Sequence, residues 1–111
     1  NKRAFLYIYK LVKCGVPYVG YGITSSIRRR HEEHLLRCQK VGVIPTLLHT
    51  FRFRLGLYCR KVETEISKEF TAVNLGARGF KKETAEWSAY PSLLEKVSKL
   101  HLKYGKVSSI L

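Results

Sequence analysis

Two aromatic, β-branched runs split by a Cys-Gly pair constrain this chain more than any other feature. Residues 5–13 read FLYIYKLVK and residues 16–23 read VPYVGYGI, compositions that suit a pleated, half-buried surface. With Cys14 and Gly15 as the whole loop, Lys13 pairs with Val16, Leu11 with Tyr18 and Tyr9 with Gly20. Successive strand side chains point to opposite faces. Tyr7, Tyr9 and Tyr18 then share one face, and Leu6, Ile8, Val19, Tyr21 and Ile23 share the other, the stronger candidate for the core.

The periodicity changes after this hairpin. Thr24 or Ser25 is placed to cap a helix, and SIRRRHEEHLLRCQKVG sets Ile27, Leu35, Leu36 and Cys38 on a broad apolar stripe that runs to about Lys40 before Gly42 stops it. Pro45 introduces TLLHTFRFRL, where Phe51, Phe53 and Leu55 alternate with Arg52 and Arg54, the pattern of a third strand with a basic outer face. Cys59, Val62, Ile66, Phe70 and Val73 recur at helical spacing, predicting a second helix that ends before Gly76. A loop with Gly76 and Gly79 follows. Pro91 opens a last amphipathic helix, about 91–104, carrying Leu93, Leu94, Val97, Leu100 and Leu102 and stopped by Gly105. The expected fold class is α+β, a three-stranded antiparallel sheet flanked by helices. At 111 residues the chain holds a single domain, 1–111.

Charge narrows the function classes. Lys and Arg total 21 against 8 acidic residues, a net +13, far beyond what solubility asks and directed to a polyanionic partner. The basic residues lie within apolar-periodic segments, which favours a nucleic-acid surface on a folded scaffold over a polybasic membrane tether. No apolar run approaches the roughly 18 residues of a membrane span, and the expected location is intracellular. Cys14, Cys38 and Cys59 are odd in number and far apart, so reduced thiols are expected rather than a disulfide framework or a zinc module. The absence of methionine suggests a processed start or a domain cut from something longer.

Tyr7-Ile8-Tyr9, a short hairpin, Tyr18-Val19-Gly20-Tyr21-Gly22-Ile23-Thr24, then Arg30, His34 and a helix-borne Glu63 together resemble the GIY-YIG nuclease domain over residues 5 to about 75. Tyr9 stands at the tyrosine of the first motif, and Tyr7 replaces its glycine. The second motif fits in two ways. Tyr18-Val19-Gly20 matches by identity, whereas Gly20-Tyr21-Gly22 aligns the downstream Gly-x-Thr-x-Ser-Ile-x-x-Arg-x-x-x-His run from Gly22 to His34. The second register puts Gly20 where the family has its second tyrosine, and Tyr18, diagonal to Tyr9, is the phenol available to replace it. Asn74 and the Glu86-Trp87 pair are weaker matches.

The resemblance implies a metal-dependent endonuclease acting on nucleic acid, most readily double-stranded DNA, with RNA and the oligomeric state left open. Its catalytic residues would be Tyr7, Tyr9, Tyr18, Arg30, His34 and Glu63, with Glu63 holding one Mg²⁺ or Mn²⁺ ion. Such a hard ion binds through one carboxylate completed by water and phosphate. Arg30, one turn before His34, offers a guanidinium to the scissile phosphate. A phenol near its ordinary pKa of about 10 is a poor base, and a nearby metal and Arg30 would lower it enough for Tyr9 to take a proton from water. Arg28, Arg29, Arg52, Arg54, Lys61 and Lys68 are the candidate phosphate contacts. The rival expectation is a non-catalytic basic nucleic-acid-binding module, which gains nothing from a carboxylate opposite phosphate.

Overall fold

The computed structural model describes residues 4–70 and 84–105. β1 (Ala4–Lys13) and β2 (Val16–Thr24) form the expected hairpin, α1 (Ile27–Val41) and β3 (Val43–Phe53) follow, and then come α2 (Gly56–Glu69), β4 (Thr84–Glu86) and α3 (Tyr90–Leu100). A single 3₁₀ turn, Trp87–Ala89, leads into α3, and a π-helical turn, His101–Gly105, leaves it. The sheet is antiparallel in the order β3-β1-β2-β4. Among the described residues it therefore has four strands, not the expected three. The additional strand is three residues long, too short for alternation to show in a sequence.

The hairpin register is the expected one, with Lys13 opposite Val16, Leu11 opposite Tyr18 and Tyr9 opposite Gly20. Cys14 and Gly15 both have positive φ, 53° and 78°, which is the two-residue turn whose twist matches that of the flanking strands.

The sheet is covered on both faces. Leu6, Ile8, Val19 and Tyr21 pack with Cys59, Val62 and Ile66 of α2 and Leu93 and Val97 of α3 in the main core. The tyrosine face makes a second core, in which Tyr7, Tyr9 and Leu11 pack with Cys38 of α1 and Val43 of β3. β3 serves both layers because its register against β1 shifts at Ile8/Tyr9. Tyr9 pairs with Leu47 but Ile8 with His49, so Leu48 is the extra residue of a bulge. A one-residue slip exchanges the faces of a strand. Val43 and Leu47 accordingly join the α1 layer, while Phe51 and Phe53 join the main core. Pro45, without an N–H, sits on this edge strand, where no further strand needs one.

Several boundaries differ from the sequence expectation. The N-cap of α1 is Ser26, whose Oγ accepts from the Arg29 N–H at 3.3 Å. Thr24 stays paired in β2, and its Oγ1 accepts the Ser26 N–H instead. Leu35 and Leu36 are exposed, and His34 and Cys38 are the buried residues of α1. Gly42 caps the helix in the left-handed region, φ 71°, its N–H donating to the Cys38 carbonyl. β3 begins at Val43, ahead of Pro45. α2 ends at Glu69, and Phe70 has extended backbone. Val73, Asn74, Gly76 and Gly79 lie outside the described residues. The π-helical turn changes the periodicity after Leu100 and leaves Leu102 exposed rather than on the apolar stripe. Among the described residues no helix is long and apolar enough to cross a membrane.

Candidate functional site at the α1–β1 seam

The bulge beside Tyr9 and the glycines opposite the two tyrosines set the site. Tyr7 faces Gly22 and Tyr9 faces Gly20 across the hairpin; neither glycine adds a side chain to the layer that α1 covers. α1 brings His31 and His34, one turn apart, over the two rings. The Tyr9 Oη and the His31 Nδ1 are 2.5 Å apart, with the rings stacked at 6°. The Tyr7 Oη and the His34 Nε2 are 3.5 Å apart, with the rings edge to face. Tyr7 and Tyr9 themselves meet edge to face at 5.5 Å, and His34 lies 5.3 Å from Tyr9. Tyr18 packs half-buried against the same layer.

Burial controls the protonation of this cluster. Tyr9 is 2% exposed, and desolvation, with a smaller contribution from Cys38, pushes its phenol up to about 12. The lowered phenol that the resemblance implies rests on a bound metal ion, and burial acts in the opposite direction. Burial lowers His34 to about 4, assisted by the charges of Arg30, Arg37 and His31, so its ring is neutral at ordinary pH. Burial also raises the Cys38 thiol to about 11. All three cysteines are free, Cys14 exposed and the other two buried. His31 differs from its neighbours in being only half-buried.

Arg30 borders the cluster. Its Nε is buried and makes no hydrogen bond among the described residues; the Glu33 carboxylate is 3.6 Å away, an ion pair beyond hydrogen-bond reach. Arg52 shares this face of the sheet, since it pairs with Phe5 and Thr50 pairs with Tyr7. Arg28, Arg29, Arg52 and Arg54 are all exposed.

Glu63, Lys61 and Lys68 belong to α2, on the other face of the sheet. Cys59, Val62 and Ile66 point into the main core, which leaves Glu63 on the flank of the helix, half-buried and near enough to Cys59 that its charge joins burial in raising that thiol to about 12. The fold thus gathers Tyr7, Tyr9, Arg30 and His34, with Tyr18 at the margin, and holds Glu63 in a different layer. Glu65 is exposed, and Glu69 pairs with Lys96 at 2.8 Å. Lys61 lies 5.9 Å from the Tyr104 ring. Among the described residues no three His, Cys, Asp or Glu side chains converge as a metal-binding set.

His31 was not among the expected site residues. The signal for it was present, because His31, His34 and Cys38 recur at helical spacing on the face that meets the tyrosines. Neither family models, nor curated proteins, nor solved structures give a match to this chain.

Proposed function

We propose that the protein is a metal-dependent endonuclease that hydrolyses DNA phosphodiester bonds with a GIY-YIG-like site. The observation that carries this reading is the convergence of Arg30 and His34 of α1 with Tyr7 and Tyr9 of β1, residues distant in sequence that the motif spacing had paired. A guanidinium beside a layer of neutral imidazole and phenol groups suits a phosphate, whose negative charge grows as water adds. Arg30 has an Nε–H to donate, and Arg28, Arg29, Arg52 and Arg54 would hold the flanking backbone. His34, kept neutral by burial, braces the ring layer rather than supplying charge.

Glu63 is the residue that would hold Mg²⁺. A half-buried carboxylate on the flank of α2 is suited to a hard ion completed by water and phosphate. When bound, the ion would act as a Lewis acid on a phosphate oxygen. No step of the α1–β1 chemistry is routed through it, because Glu63 stands in the other layer.

A non-catalytic nucleic-acid-binding module is the second reading, favoured by the burial of Tyr7 and Tyr9 at 4% and 2% exposure. Incubation of supercoiled plasmid with the protein in Mg²⁺ or in EDTA separates the two. Nicked or linear product in Mg²⁺ alone is expected; binding without cutting any DNA or RNA in Mg²⁺ or Mn²⁺ leaves the binding module.

A further inference from the structure

A hydrolytic site needs a group that meets water and takes its proton. Tyr9, assigned that task by the motif, is 2% exposed and has its hydroxyl against His31. His31 is half-buried and lies at the N-terminal end of α1, next to Arg30. Its Nδ1 is engaged by Tyr9, which leaves Nε2 as the nitrogen for a further partner. The state of one imidazole nitrogen is set by the bond the other makes. If Nδ1–H donates to the Tyr9 oxygen, Nε2 carries the lone pair, and a base oriented through a bond to its far nitrogen is a recurring arrangement in hydrolases.

We propose that His31 is the proton acceptor of the hydrolytic step and that Tyr9 is its positioning residue, an assignment that rests on the nuclease reading. Nε2 removes a proton from water as the water oxygen bonds to phosphorus. The bond from phosphorus to the leaving oxygen breaks, that oxygen takes a proton from solvent, and His31 then returns its own proton to solvent. Tyr9 keeps its hydroxyl proton throughout, in accord with a phenol that burial holds at about 12.

The charged and titratable groups around His31 are Arg30, Glu32, Glu33, His34, Arg37 and Cys38 on its own helix, Tyr9 and Tyr7 on β1 and Tyr18 on β2, with Arg52 of β3 on the same face of the sheet. His34 is neutral down to about pH 4, so it cannot produce an acid limb in a rate profile above pH 5.

The test compares plasmid cleavage in Mg²⁺ from pH 5 to 9 by wild type, His31→Asn and Tyr9→Phe, with thermal stability and DNA affinity measured alongside. Asn puts an amide near the Nδ1 position and keeps a partner for Tyr9, but it has no basic nitrogen. We expect His31→Asn to stay folded, to bind DNA like wild type, and to cut at least about 100-fold more slowly with the acid limb gone. Tyr9→Phe should be slowed about 10-fold and keep the acid limb, since it loosens the base without removing it. Long-range ¹H–¹⁵N spectra at pH 8 give a readout independent of turnover: His31 should carry its proton on Nδ1. Wild-type rates from a folded His31→Asn, or an Nε2–H tautomer in the free protein, would overturn the assignment and leave the nuclease reading intact. A wild type that cuts nothing overturns both.

Discussion

Tyr9 and His31 are joined by a 2.5 Å contact between a buried hydroxyl and a half-buried ring nitrogen, and their rings stack at 6°. The contact ties the central strand to the first turns of α1. Tyr9→Phe preserves the ring and deletes this bond, at an expected cost of about 1 kcal/mol, to be measured as a lowered urea midpoint with an unchanged slope. An unchanged midpoint would mean that the hydroxyl does not anchor the helix.

The buried imidazole of His34 makes stability depend on pH. Its folded value, about 4, is below the ordinary 6.5, so between these values the unfolded chain binds more protons than the folded one. Unfolding free energy therefore falls as pH drops from 6.5 towards 4, by about 3 kcal/mol in total, and this contribution is flat above pH 7. Carboxylates also titrate at the acid end, so the quantity to follow is the difference between wild type and His34→Gln. That difference should be constant above pH 7 and shrink on acidification; a difference independent of pH would reject a buried neutral His34.

The hairpin turn offers a stabilising substitution. Cys14 occupies the left-handed region at φ 53° and is exposed, a conformation that costs an ordinary L-residue roughly 1–2 kcal/mol and that asparagine adopts more readily. Cys14→Asn creates the Asn-Gly sequence favoured in this turn. A gain of about 0.5–1 kcal/mol in denaturant unfolding is expected, and a loss would count against the turn geometry.

The hairpin was legible residue by residue because its face pattern, loop length and turn glycine all agreed. What was not legible has identifiable causes. His34 fills a core position of α1, and a stripe counted on apolar residues alone passed over it in favour of Leu35 and Leu36, which the structure exposes. The bulge at Leu48 leaves the Phe51/Phe53 alternation untouched, so nothing local reported that β3 changes layers. The motif paired Glu63 with the tyrosines by sequence order, and order does not say which face of a sheet a helix will cover. The face that Tyr9 occupies followed from the hairpin alternation, but its protonation behaviour did not, because that depends on the helix packed over it.

Salt dependence will show which layer meets nucleic acid. Each phosphate neutralised contributes about 0.9 to the slope of log affinity against log salt on duplex DNA. Arg52→Ala and Arg54→Ala should each lower the slope by about that amount if DNA lies along the α1 layer. Lys68→Ala, on α2 in a shallow groove it shares with Glu65, Glu69 and Lys96, should leave it unchanged. The reverse pattern would put DNA on the α2 layer.

The carboxylate prediction joins the two layers. Glu63 should hold the metal. Glu65 and Glu69 are exposed, and Glu69 is engaged with Lys96. At about 100° per residue Glu65 and Glu69 point some 200° and 240° away from Glu63 around the helix, so they cannot share its site. Glu63→Gln tests whether that role survives its place across the sheet from Arg30 and His34: loss of Mg²⁺-dependent plasmid cleavage with DNA binding equal or tighter would bring the metal and the scissile phosphate to the α2 side. Glu65→Gln and Glu69→Gln should cut nearly as well as wild type. If Glu63→Gln cuts normally while His31→Asn does not, the chemistry belongs wholly to the α1–β1 seam, and any metal requirement is met by other oxygen donors. If neither substitution matters to a wild type that does cut, the catalytic groups lie elsewhere on the chain and the GIY-YIG-like assignment falls.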